Sequence, residues 1–273
     1  MTEAAAAANL HRFDADPADP SPHAPGLQLE QLGYTASDLE AIRHAISAPE
    51  GLVLVVGPAG CGRRTALRAM LRELDASSNL QRGNCCRCRG RRMLLRRICS
   101  PRAAQFAIQA AQAGHRVFSR MAIGRACAAV AELRRLGVTA AQMIDGLSLV
   151  IAQRLLAKLC PQCAVPDEED AVRQALAAAR NTWLGEQAGR PRRAAPHGCA
   201  ACGHTGYSGR LLACEVLEID ARARGLLAVS ADSLELERVL LADGSAIWDR
   251  GLRLVAGGAT SLAALQAAIR NPR

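Results

Sequence analysis

Four of the chain's eleven cysteines stand as two C-x-x-C pairs, Cys160-Pro-Gln-Cys163 and Cys199-Ala-Ala-Cys202. Each pair can present two thiolates on one tight turn, and two such turns complete a tetrahedral sulfur site of the kind that holds Zn²⁺. Four unrelated cysteines in a cysteine-rich chain are the plainer reading, and the repeated spacing argues against it. A closed shell of four thiolates leaves no position for water, so the zinc expected here is structural and does no chemistry. Cys85, Cys86 and Cys88 are also closely spaced but lack a clear fourth partner, while Cys61, Cys99, Cys127 and Cys214 read as small apolar filler.

A second constellation is the run GPAGCGRRT, which is Gly57, Pro58, Ala59, Gly60, Cys61, Gly62, Arg63, Arg64 and Thr65. A phosphate-binding loop spells G-x-x-x-x-G-K-[ST]: backbone N–H groups cradle the phosphates, the lysine bridges them and the hydroxyl holds Mg²⁺. ATP with Mg²⁺ is what such a loop takes. Here the glycines fall correctly at Gly57 and Gly62, but Arg63 and Arg64 occupy the lysine and hydroxyl places. Arg63 keeps the positive charge in a bulkier, planar form, and Arg64 cannot ligate a metal. Thr65 stands one residue further on, about 100° around the helix.

These residues need elements to position them. The chain has 273 residues, half of them apolar and only 3% aromatic, with Ala and Leu runs broken by Gly. That pattern predicts an α/β fold with helices packed on a parallel-rich sheet. LVLVV, residues 52–56, reads as a strand buried on both faces, feeding the glycine loop and then a helix with Leu67, Met70, Leu71 and Leu74 on one face. Ser100-Pro101 reads as a helix start, and the helix ends at Gly114. RVFS is a short strand; helices are expected at about 124–136 and 140–159, then another over PDEEDAVRQALAAARN, and the last sixty residues read as mainly helical. Residues 1–26, rich in Ala, Asp and Pro without periodicity, read as a disordered tail.

The net charge of +9 is local: between Asp75 and Glu132 there are eleven arginines and no acid, so the rest of the chain is slightly acidic. The segment QRGNCCRCRGRRMLLRR has charge for nucleic acid but no aromatic residue for stacking, which argues against that partner. The amino terminus lacks the basic and apolar regions of a signal peptide, and no stretch of about 20 residues is apolar without charge. Reducing cytosol is the expected compartment.

Several stretches together resemble the ATPases that power type II secretion and type IV pilus assembly. They are LGYTASDLEAI, GLVLVVGPAGCGRRTALRAML, AIQAAQAGHRVFS, GLSLVIAQRLLAKLCPQC, CAACGHTGYSGRLLACEVLEID and GLRLVAGGATSL, in the family's order. The resemblance covers only the family's motor half. It implies a RecA-like P-loop core over 27–157, shortened between its two Walker regions, a small tetracysteine zinc subdomain over 158–215 and a C-terminal helical part over 216–273. It implies homo- or hetero-hexamers of secretion ATPases, inner-membrane platform proteins as partners, and a place in the cytoplasm or peripheral at the inner membrane.

Each catalytic box departs from the family pattern. MLLRRICSPRAAQFA aligns with the Walker B strand and puts Arg97 in the place of the catalytic glutamate, Cys99 in that of an arginine and Ser100 in that of an aspartate. SRMAIGRA stands where the His box lies, with Ala122 in the place of its histidine; His115 matches another family histidine. The expectation is therefore an ATP-binding motor homologue without hydrolysis. The alternatives are a working hexameric motor and a basic zinc-containing nucleic-acid-binding protein.

Overall fold

A computed structural model of the chain describes residues 27–80, 92–179, 190–229, 232–241 and 244–270. The tail over 1–26 and Cys85, Cys86 and Cys88 lie outside the described residues. A 3-10 turn at Leu29–Leu32 leads to α1 (Ala36–Ser47), β1 (Gly51–Val56) and α2 (Arg63–Leu80). Then come β2 (Arg92–Arg97), α3 (Pro101–Gln112), β3 (Arg116–Met121), α4 (Ala126–Arg135), α5 (Ala140–Gly146) and β4 (Leu147–Leu159). The second half has β5 (Val165–Pro166), α6 (Asp170–Ala179), β6 (Arg192–Arg193), β7 (Tyr207–Glu218), α7 (Ala221–Ala228), α8 (Ser233–Leu240), α9 (Ile247–Ala256) and α10 (Leu262–Arg270).

The main sheet runs in the order β2-β3-β1-β4-β7, parallel throughout except for the antiparallel pair β4 and β7. β1 is buried on both faces, and its alternation divides the core. Leu52, Leu54 and Val56 join the cluster under α3 to α10; Val53 and Val55 join the one under α1 and α2. The parallel strands β1, β2 and β3 all end at the same edge. β1 and β2 are not neighbours, because β3 lies between them.

Ser100 starts α3 as its sequence implies: the hydroxyl accepts from Ala103 N at 3.3 Å, and proline follows at the first helical position. Ser100→Ala should lower stability by about 1 kcal/mol, read as a shift in the urea midpoint at constant slope.

One expectation fails. The run 140–159 is not a single helix: α5 stops at Gly146, and Leu147 to Leu159 form a long strand in the middle of the sheet. Buried on both faces for most of its length, β4 shows a continuous apolar run in place of alternation, and such a run fits helix and strand equally. Among the described residues no helix is long and apolar enough to cross a membrane.

Candidate functional site

The glycine loop joins β1 to α2. Gly57 has φ 151°, and a Cβ there would stand 2.6 Å from Gln153 O, so only glycine permits this approach to β4. Gly62, with φ 88°, is the last loop residue before α2, and its carbonyl accepts from Ala66 N at 3.0 Å. The first turn of α2 contains no acid, so its N-terminal amides keep their positive field.

The loop rests on a buried prop that sequence reasoning missed. Gln153 Nε2 donates to Cys61 O at 2.6 Å, and Gln153 Oε1 accepts from Tyr34 OH at 3.1 Å. Burial pushes the Tyr34 phenol well above its ordinary range, which keeps it a neutral donor. A glutamine inside the apolar run LSLVIAQRLL was the available signal, since a buried polar side chain needs a stated partner.

Arginines surround the loop. Arg63 is half-buried, and its Nη1 donates to Met121 O at the tip of β3 at 2.6 Å. Burial draws its pKa down; the Cys61 thiol opposes this, and Arg97 and Arg64 add to it. Arg97, at the tip of β2, is thus brought into the electrostatic reach of Arg63 although 34 positions separate them. Arg64 and Thr65 are exposed on the first turn of α2. Ala122 is exposed, and so is Cys99, which is therefore not the apolar filler expected of it, unlike the buried Cys61, Cys127 and Cys214. His115 precedes β3, at the opposite end of that strand from the loop, where its carbonyl accepts from Gly51 N at 3.1 Å.

Two buried acids of the fold's interior are committed elsewhere. Glu215 on β7 is 1% exposed, and its two oxygens accept from Ala126 N at 2.9 Å and Ile247 N at 3.1 Å, capping α4 and α9 together. Asp38 is paired with Arg250. Within the run Gly57 to Thr65 the Thr65 hydroxyl, one residue past the metal-binding place, is the one side-chain oxygen. The rest of the donor set, arginines and backbone amides, does not fit Mg²⁺, which is held through oxygen ligands such as carboxylates and hydroxyls.

The four paired cysteines meet on the connection between β4 and β7. Cys160 Sγ lies 3.8 Å from Cys199 Sγ, Cys163 Sγ lies 3.9 Å from Cys202 Sγ, and Cys199 Sγ lies 3.8 Å from Cys202 Sγ. A tetrahedral Zn²⁺ with Zn–S bonds of about 2.3 Å needs sulfurs about 3.8 Å apart, so the cluster fits this ion as well as any. The amide of Cys199, more than that of Gly206, pulls the Cys202 thiol down to about 6, while burial pushes Cys163 up to about 12. The cluster could hold a metal ion.

The profile of the family described as "Type II/IV secretion system protein" matches residues 21–81 and 87–267. The chain is 30% identical to the type II secretion system protein E of Aeromonas hydrophila, with 86% of this chain and 52% of that one covered. It is 32% identical to the type II secretion system ATPase E of Vibrio cholerae, with the same coverage. It therefore spans about half the length of the curated relatives it matches. Among solved structures it is similar to the pilus retraction motor PilT with bound ADP, at a TM-score of 0.58 and 16% identity, covering 92% of this chain and 69% of that one. The ATPase DotB of Legionella pneumophila is similar at 0.56 and 15%, covering 90% and 66%.

Proposed function

The chain belongs to the Type II/IV secretion system protein family, and from that premise we propose that it is a zinc-holding homologue of the secretion motor half that does not hydrolyse ATP. The observation that carries this reading is the charge around the loop: Arg63, Arg64 and Arg97 stand where the resemblance calls for a lysine, a metal-binding hydroxyl and a catalytic glutamate. Hydrolysis needs a metal and an oriented water at the terminal phosphate. Losing a single preorganised group commonly costs on the order of 10² to 10³ in rate, and here several are replaced together.

Cys160, Cys163, Cys199 and Cys202 hold a structural Zn²⁺ in this reading, and residues Gly57 to Thr65 form the phosphate cradle. The partners are active hexamers of related secretion ATPases, on which the chain docks through its tetracysteine module, at the cytoplasmic side of an inner-membrane secretion or pilus machine. Phosphate release from ATP and Mg²⁺ by zinc-replete protein is expected to equal that of the Gly62→Asp variant. A wild-type rate clearly above that variant would restore a working motor.

A further inference from the structure

Next to the loop stands a cation that the fold leaves incompletely paired. Arg154, which follows Gln153 on β4, is 7% exposed; its Nε has no partner, and its Nη1 reaches only Gln153 O, at 3.4 Å. The same Gln153 O abuts Gly57, and Arg154 Nη2 lies 2.7 Å from the place of a Cβ on Gly124. Its guanidinium therefore sits beside the first glycine of the loop and against the turn that follows β3. Burial works against its charge and Glu215 is the carboxylate that favours it, but both oxygens of Glu215 are already taken by backbone amides, and burial keeps the Cys61 thiol in the loop neutral. A buried guanidinium with an orphan donor is costly unless something neutralises it.

Two further guanidiniums face the same edge. Arg63 gives one N–H to Met121 O and has others to offer, and Arg97 is exposed at the tip of β2. Together with the amides of the loop and the N-terminus of α2, they form a cradle whose fixed charges are positive. In a loop built for a metal–nucleotide complex, the metal supplies part of that charge. Here arginines supply it, and a bound divalent cation would be repelled by them.

We propose that the loop takes a metal-free polyphosphate chain, either the triphosphate of a nucleotide or inorganic polyphosphate, held by the loop amides with Arg63, Arg97 and Arg154, and that Mg²⁺ competes with binding. This deepens the non-hydrolysing reading above and rests on it. Guanidinium–phosphate contacts are charge-assisted and forked, and Mg²⁺ weakens them by cancelling much of the charge on the chain.

The test is calorimetric titration of zinc-replete full chain with sodium tripolyphosphate, in chelator-free buffer with no added divalent ion and again with excess Mg²⁺. Affinity is expected to fall by roughly tenfold or more when Mg²⁺ is added, as the ligand loses charge. Arg154→Met and Arg97→Glu should each weaken metal-free binding to a similar degree, whereas Arg222→Ala, an exposed arginine on α7, should leave it unchanged. The exposed position of Arg97 keeps the test available if Arg154→Met does not fold. ATP titrated in the same two buffers separates the sources: equal affinity means that the phosphate chain alone is read, and tighter ATP binding means that the nucleoside adds contacts. No binding without Mg²⁺, tighter binding with it, or equal loss in Arg222→Ala would overturn the proposal. Hydrolysis in the separate phosphate-release assay would instead overturn the reading on which it rests.

Discussion

Cys199→Ser, or extraction of the metal by a strong chelator, is expected to unfold the connection between β4 and β7 while leaving the parallel strands intact. Between Cys160 and Thr205 the described buried apolar side chains are Cys160 and Ala164, apart from Val172, Leu176 and Ala179 of α6, which belong to the main core. That is too little surface to hold a tight chain reversal without a staple. Structural zinc sites in small peptides bind with apparent free energies of about 10–16 kcal/mol, comparable to the whole stability of a typical domain. Where the module leaves the sheet, Cys160 N donates to Gly206 O at 2.9 Å, and Leu159 N at the end of β4 donates to Ala259 O, in the turn between α9 and α10, at 2.9 Å. Losing the metal should release the first bond and fray the second. Hydrogen exchange would then show lost amide protection over 160–166 and 192–206 and at the β4–β7 end, with β1 and β3 still protected. Metal analysis should find one zinc per chain in the untreated protein. Protein that purifies without zinc and keeps those amides protected would show that the cysteines pack as ordinary thiols.

The contrast between the two sites explains which parts of the fold could be read in advance. The cysteine pairs are legible because metal geometry fixes both residue type and spacing, so a C-x-x-C pair carries its own structural context. The glycine loop is legible for the same reason, since the positive φ at Gly60 and Gly62 demands glycine. Ser100-Pro101 announced its helix through local capping chemistry. What local patterns could not supply was anything decided by long-range pairing. β4 looked helical because both of its faces are covered, and β7 escaped notice because its place as the antiparallel partner of β4 depends on residues some sixty positions away. Arg97 became meaningful as a neighbour of Arg63 only through a sheet order that brings the tips of β1, β3 and β2 to one edge. Likewise, Glu215 reads as one more acid in the sequence, yet in the fold it caps two helices and so is withdrawn from the loop.

Asp38→Ala is expected to destabilise the fold by about 3–5 kcal/mol, the range for breaking one side of a buried ion pair. Arg250 Nη1 donates to Asp38 Oδ2 at 2.6 Å and Nη2 to Oδ1 at 2.8 Å, a forked contact that ties α1 to α9 across 212 positions of sequence. Asp38 is 3% exposed, and its Oδ2 also accepts from Thr35 N at 3.0 Å at the start of α1. Burial works against the Arg250 charge, but the hydrogen bond and charge of Asp38 outweigh it and hold the pKa above its ordinary value. Burial and the nearby Asp38 carboxylate push the Cys214 thiol up, so it stays neutral and does not compete for the guanidinium. Removing the carboxylate leaves Arg250 with Ser245 O as its remaining hydrogen-bond partner among the described residues, at 3.2 Å, in a largely buried site. Arg250→Ala should cost a similar amount by stranding Asp38. The double variant Asp38→Ala with Arg250→Ala should lose less than the sum of the two single changes, because neither charge is then left buried without its partner. Urea unfolding of the four proteins decides the matter. A double variant whose loss equals the sum of two large single losses would mean that the residues act independently, and that the N-terminal helix is held on the sheet by its apolar face alone.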